Sequence, residues 1–217
     1  MNFVCLKWGK RYSAEFVNKL YGMLKRYHTD FILHCVTEDS TGIDKNVRII
    51  DLPDLGVEKW WNKMILFKGD FEVSDGIFLD LDLILQSNLE LFYKPSENMK
   101  FLFTDWIDLE ALGKITFGDG YKYCSINSSV LSWNKDTQKD HIWEDFISNK
   151  EKILYLYKGI DNYIENRHTY DLYETGNAYS YWNCNEEYRK TPIILFDYKQ
   201  TKQDEIDKPW IHELWSS

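Results

Sequence analysis

Gly76-Ile77-Phe78-Leu79-Asp80-Leu81-Asp82 runs a short apolar segment straight into two carboxylates. Residues 76–79 have the length and composition of a strand buried on both faces, the kind found in open α/β sheets covered by helices. In an extended chain, residues at i and i+2 project to the same side, which gives Asp80 and Asp82 a shared side beyond the strand's carboxyl end. Open α/β sheets bind their ligands at that end. An oxygen-only pair there suits a hard divalent cation, Mn²⁺ or Mg²⁺, which can bridge the oxygens of a diphosphate. An acidic loop after a strand is the plainer reading, so the neighbouring segments decide.

Toward the N-terminus the pattern alternates. Residues 3–8 read as a buried strand ended by Gly9, and Ser13 stands at an N-cap position with Glu15 in the first turn. Phe16, Val17, Leu20, Tyr21, Leu24 and Tyr27 then recur at helical spacing. Residues 31–36 read as the next strand, 38–45 as a polar loop, and 47–52 as a third strand closed by Pro53. Trp60, Trp61, Met64, Ile65 and Phe67 suit a short helix. The alternation predicts an α/β fold, Rossmann-like, with a mostly parallel central sheet flanked by helices. In the second half, 101–104, 123–126 and 130–133 read as strands, 142–147 as a helix, and Asp161 as the cap of another. Residues 183–190 read as a polar surface loop and 192–196 as the last strand. No repeat or low-complexity linker divides the sequence, so a single domain over 1–217 is expected.

Composition narrows the function classes. Leu, Ile, Val and Phe make up about 28% of the chain, enough for a packed core. With 26 basic and 35 acidic residues, the net charge of -9 disfavours nucleic acid and anionic membranes as partners. A nucleotide diphosphate needs a metal ion or placed lysines to offset that field. No apolar stretch approaches the roughly 18–20 residues of a membrane span, and the first residues lack the pattern of a secretory signal. A cytoplasmic protein is expected. Cys5, Cys35, Cys124 and Cys184 lie far apart, without zinc or redox spacing, and are expected as free thiols, mostly buried. The five histidines show no clustered ligand spacing, and His34 reads as core. The aromatic content of 17% serves packing first, but also offers flat rings on which sugars and bases stack.

Five segments then occur in a telling order: Lys-Trp-Gly-Lys-Arg-Tyr at 7–12, Trp-Trp-Asn-Lys-Met at 60–64, Ile-Phe-Leu-Asp-Leu-Asp at 77–82, Leu-Glu-Leu-Phe at 89–92 and Ile-Asn-Ser-Ser-Val-Leu at 126–131. The ordered set resembles small GT-A glycosyltransferases similar to glycosyltransferase family 8. That resemblance implies a nucleotide-sugar donor, UDP-glucose or UDP-galactose foremost, with Mn²⁺ or Mg²⁺ as cofactor. It implies transfer of a hexose with retention of configuration to an acceptor glycan, protein or small molecule.

Residue by residue, the resemblance makes Asp80 and Asp82 the metal-binding pair, with Leu81 between them against the donor. Lys63 takes the place of a basic residue that reaches the donor sugar or phosphates. Trp8 and Tyr12 fall where the family holds nucleobase and ribose. Asn127 and Ser128 resemble an Asn-Ser-Gly segment bordering the donor sugar, with Ser129 in place of the Gly. Asp161-Asn162 is the nearest match to an Asp-Gln pair near donor and acceptor, and Asn reaches one methylene less far. Asp197 stands where the family has a His completing the metal shell, and Lys199, with Lys202, would balance diphosphate charge. The implied catalytic set is Lys63, Asp161 and Asn162, acting by electrostatic stabilisation, with Asp161 positioning rather than attacking.

Two rival readings compete. The Asp197 and Ser129 departures and the compact size favour a non-catalytic nucleotide-sugar or carbohydrate-binding protein of the same fold. A nucleotidyltransferase needs a Gly-rich basic phosphate loop after the first strand, and residues 7–11 supply a single glycine.

Overall fold

The computed structural model describes residues 1–94, 96–104, 124–181, 191–196 and 208–215. The continuous apolar runs form strands covered on both faces. β1 (Asn2–Lys7), β2 (Ile32–Thr37), β3 (Arg48–Asp51) and β4 (Gly76–Leu79) run parallel, with Cys5 opposite Cys35 and Phe3 opposite Ile77. β6 (Lys100–Phe103), β7 (Ile126–Trp133) and β8 (Asp171–Leu172) extend the sheet to seven strands in the order β3-β2-β1-β4-β7-β6-β8. β7 alone runs against the others. A mostly parallel α/β sheet is what the alternating pattern predicts.

Alternate residues of one strand feed different layers. Phe3 and Cys5 pack with α1 (Ala14–Tyr27), which buries Phe16, Val17, Leu20, Met23 and Leu24. Val4 and Phe78 pack on the other face, with a 3-10 segment (Lys59–Phe67), α2 (Asp140–Leu156) and α3 (Ile160–Arg167). Ser13 is the N-cap of α1 without a side-chain cap bond, while Glu15 in the first turn and Lys25 and Arg26 in the last complement the helix dipole. His34 is buried in β2, as expected of a core histidine.

A second sheet joins the expected last strand, β10 (Ile193–Leu195), to two strands the sequence pattern does not show, β5 (Leu83–Leu85) and β9 (Ala178–Ser180), in the order β5-β10-β9. α4 (Pro209–Trp215) packs against α1 and β5. Because β5 begins one residue after Asp82, the two carboxylates lie on the bridge between the sheets.

Other expectations are corrected. The expected strands at 123–126 and 130–133 merge into β7, because the polar Asn127, Ser128 and Ser129 continue the strand; Tyr123 lies outside the described residues. The helix expected at 142–147 runs to Leu156, past a non-helical Asn149 at φ -126°. Gly159, not Asp161, is the N-cap of α3, and Asp161 lies in its first turn. The short helix around Trp60 is of the tighter 3-10 type. Cys5, Cys35 and Cys124 are free thiols, two of them buried; Cys184 and the polar 183–190 stretch lie outside the described residues. Among the described residues no helix is long and apolar enough to cross a membrane.

Candidate functional site

β1 and β4 lie side by side at the middle of the large sheet, and the chain leaves them in different directions: from β1 toward α1, from β4 toward β5. Such a divergence opens a crevice beyond the strands' carboxyl ends. A cleft of about 530 Å³ lies there, and Trp8, Tyr12, Lys63, Asp80, Leu81 and Asp82 all line it. Six residues expected at a site, from three separate segments of the sequence, are thus brought together.

Backbone bonds fix the carboxylates. The Asp80 N–H donates to Ser129 O on β7 at 2.9 Å, and the Phe196 N–H, just past β10, donates to Asp82 O at 2.9 Å. Lys63 is buried, and its ammonium donates to Asp80 Oδ2 at 2.7 Å and to Ser128 O and Oγ at 3.2 and 3.3 Å. Tyr12, past the turn that Gly9 makes at φ +59°, donates its hydroxyl to Asp82 Oδ2 at 2.9 Å.

The electrostatics follow from this crowding. Burial, and next the Asp80 charge, push the Asp82 carboxyl up to about 7, with the Tyr12 hydrogen bond and Lys63 opposing. Burial and the neighbouring Asp82 push the Tyr12 phenol above its ordinary range. Asp161 is pushed up to about 6, chiefly by burial, while Lys63 and Ser128 pull it down and Asp80 pushes it up. Its Oδ1 is buried without a hydrogen-bond partner among the described residues.

Asn127 turns its Oδ1 back to accept the Ser129 N–H at 2.8 Å, so that its side chain braces the strand at Ser128. Among the described residues only Lys59 combines a side chain with a positive φ, so Ser129 occupies ordinary strand backbone and needs no glycine. Asn162 hydrogen-bonds the Cys124 thiol, which burial raises to about 12. Asn127, Ser128, Asp161 and Asn162 are not among the residues lining the cleft itself. Asp197, Lys199 and Lys202 lie outside the described residues.

As a metal site, the donor set fits a hard cation. Asp80 and Asp82 offer oxygen only, and their repulsion, felt in the raised Asp82 pKa, is what a bound cation relieves. Among the described residues no group of three or more His, Cys, Asp or Glu could hold a metal ion, so further ligands must come from elsewhere.

The cleft is also lined by Leu6, Arg11, Lys59 and Trp60, none of which the sequence reading assigned. Trp60 and Trp61 both suit the short helix the sequence predicts, yet Trp61 is buried against Phe146 while Trp60 is 46% exposed. Nothing in the two adjacent identical letters separates them; the left-handed Lys59, at φ 57°, does so in the structure.

No family model matches the chain, and no curated protein matches it by sequence. Solved structures do match. The galactosyltransferase LgtC in complex with donor and acceptor sugar analogs superposes with a TM-score of 0.66 at 12% identity, over 99% of this chain and 95% of that one. The glycosyltransferase GlyE of Streptococcus pneumoniae TIGR4 gives 0.67 at 14% identity, and its apo form 0.63 at 17%. This chain is covered to 99% in both but spans only 59% and 58% of those structures. The chain has the GT-A glycosyltransferase fold, similar to that of the family 8 enzymes its ordered motifs resemble.

Proposed function

We propose that this protein is a metal-dependent, retaining glycosyltransferase that moves a hexose from a UDP-sugar, UDP-glucose or UDP-galactose foremost, to an acceptor hydroxyl. The observation that carries this reading is the Lys63–Asp80 contact beside Asp82, at the mouth of the crevice between β1 and β4. A buried cation and two carboxylates at a sheet's switch point form a diphosphate site in a chain whose net charge of -9 would otherwise repel one. The likeness to LgtC, solved with donor and acceptor sugar analogs, supports the same reading.

In the reaction, the bond from the sugar's anomeric carbon to the diphosphate breaks and a bond to the acceptor oxygen forms. The acceptor's proton passes to a leaving phosphate oxygen, and the products are UDP and the glycoside. Asp80 and Asp82 would hold a divalent ion, which would supply Lewis-acid stabilisation of the leaving group. Lys63 adds fixed positive charge, oriented in advance by Ser128. Trp8 and Tyr12 flank base and ribose, Leu81 packs against the donor, and Asn127 and Ser128 border the sugar. Asp161, with an acceptor atom left unpaired in a buried place, holds a sugar hydroxyl, and Asn162, next to it in the first turn of α3, stands where the family has a Gln that meets sugar hydroxyls. Asp197, which follows Phe196 in the sequence and stands where the family has a His, would serve as a third ligand. Lys199 meets the diphosphate.

Release of UDP from UDP-glucose and UDP-galactose, with Mn²⁺, with Mg²⁺ and with chelator, tests the proposal. Metal-dependent UDP release, followed by NMR of the anomeric proton in the product, is expected. UDP-sugar binding without UDP release over a panel of saccharide acceptors would favour the non-catalytic binding protein, and no binding at all would overturn the donor assignment.

A further inference from the structure

We infer that Trp60 is the platform on which a pyranose ring of the acceptor stacks, an assignment that rests on the transferase reading and adds the acceptor's chemistry to it. An exposed indole is common; an exposed indole held rigid at the rim of a ligand cleft is not. Three features hold this one. Lys59 takes the left-handed conformation at φ 57°, which turns Trp60 outward while Trp61 enters the core. A bulky residue adopts that conformation at a cost, and such strain gathers at binding sites. The Trp60 indole N–H donates to Lys158 O at 3.2 Å, so its polar edge is satisfied and its orientation is set. Its edge also rests on the bare backbone of Gly159: a methyl group there would come within 3.3 Å of the indole nitrogen.

Position selects the acceptor over the nucleobase. In a 3-10 segment residues three apart eclipse, so Trp60 stands over Lys63 on the same side. Lys63 in turn bonds Ser128 on β7, and Gly159 opens α3, which carries Asp161. Trp60 therefore belongs to the β7 and α3 side of the cleft. Trp8 and Tyr12 follow β1, on the other side of β4. A ligand running from Tyr12 past Asp82 and Asp80 to Lys63 has its diphosphate at the carboxylates, leaving the outer indole to what lies beyond the transferred sugar. The C–H face of a pyranose is apolar and flat, and it packs on an indole much as another ring does. The Lys59 ammonium, 5.6 Å from the indole centroid and itself lining the cleft, offers hydrogen bonds to the ring's hydroxyls.

The test is ¹⁹F NMR of the full chain labelled with 5-fluorotryptophan, the Trp60 signal being assigned by its loss in Trp60→Phe. Methyl β-galactoside, lactose, cellobiose and maltose are titrated, and UDP with Mn²⁺ separately. The Trp60 signal should move saturably with at least one saccharide, whose binding should weaken about five- to tenfold in Trp60→Ala and recover largely in Trp60→Phe. A signal that responds to UDP alone would make Trp60 a nucleobase platform, and one that responds to nothing would remove it from the site; either overturns the inference. Calorimetry of UDP with the unsubstituted protein reads the donor side independently, so that absence of UDP heat with a saccharide response would sink the transferase reading and leave the pyranose platform standing.

Discussion

Lys63 Nζ and Asp80 Oδ2 lie 2.7 Å apart, with the lysine side chain 9% and the aspartate side chain 22% exposed. The contact joins the 3-10 segment to the end of β4, and the same ammonium reaches β7 through Ser128. One cation thus offsets one of two carboxylates that the sheet forces together, and Asp82 is left to Tyr12. The arrangement leaves negative charge for a second cation on the carboxylates, and only with that cation bound does positive charge remain for an anion beside the lysine.

Replacing Lys63 by Met should lower turnover by about a hundredfold or more, the scale of losing one preorganised electrostatic group. It also strands Asp80 and the Ser128 acceptors, so a loss of about 1–3 kcal/mol in stability is expected alongside. Steady-state rates and urea melts on the same preparation separate the two effects. A rate that falls only in step with the folded fraction would make the lysine purely structural.

Asp82→Ala should weaken Mn²⁺-dependent UDP binding at least about a hundredfold, because oxygen ligands are few at this site and a hard ion tolerates their loss poorly. The fold should survive, since Asp82 is half-buried and its carboxyl already favours the protonated form more than an exposed one does. Calorimetry of UDP with and without chelator measures the effect. Unchanged affinity would exclude Asp82 from the metal shell.

What the sequence made legible was governed by local pattern. The 76–82 segment could be read because an uninterrupted apolar run ends in carboxylates, and β1 with α1 because strand and helix periodicities are clean there. β7 could not, because Asn127, Ser128 and Ser129 break the apolar pattern; Ser128 does so to meet Lys63, and the interruption marks function rather than a loop. The apolar run at 192–196 marks β10, but β5 and β9, of three residues each, are stabilised by pairing with a distant strand that no window reveals. The Lys63–Asp80 contact spans 17 positions and depends on a 3-10 geometry that periodicity reads as ordinary helix.

Asp161 makes the free protein sensitive to pH. Its folded-state pKa of about 6 exceeds the usual value of 3.8, so the fold binds its proton more tightly than the unfolded chain does. The stability this contributes is fully present below about pH 4 and is lost as pH rises through about 6. Asp161→Asn removes that loss: its stability relative to the parent should rise between about pH 4 and pH 6 and level off above 7, while transfer falls at least about tenfold. Urea titrations at half-unit pH steps would show it, and a pH-independent difference would mean that Asp161 is not held in a site that disfavours its charge.

Lys139 offers a way to disturb the site from behind. It is buried at the N-cap position of α2, and its ammonium donates to Leu66 O at 2.9 Å and to Lys68 O, closing the C-terminal end of the 3-10 segment that presents Trp60 and Lys63. Its charge sits 5.9 Å from the Phe71 ring, and burial pulls its pKa down to about 8 against the usual 10.5, with Asp140 and Asp70 opposing. Lys139→Met leaves two carbonyls short of a donor, so about 1–3 kcal/mol of stability should be lost. Between pH 8 and about 10 the unfolded chain holds this proton more than the fold does, so the parent gains stability with rising pH and the variant lacks that gain. The gap between them should therefore widen over that window in urea melts. Because Lys139 lies behind the segment rather than in the cleft, the rate should fall mainly through kcat, with Lys139→Arg recovering part of it by restoring donors to Leu66 and Lys68. A Met variant as stable as its parent at pH 9 would show that the segment is closed without this lysine.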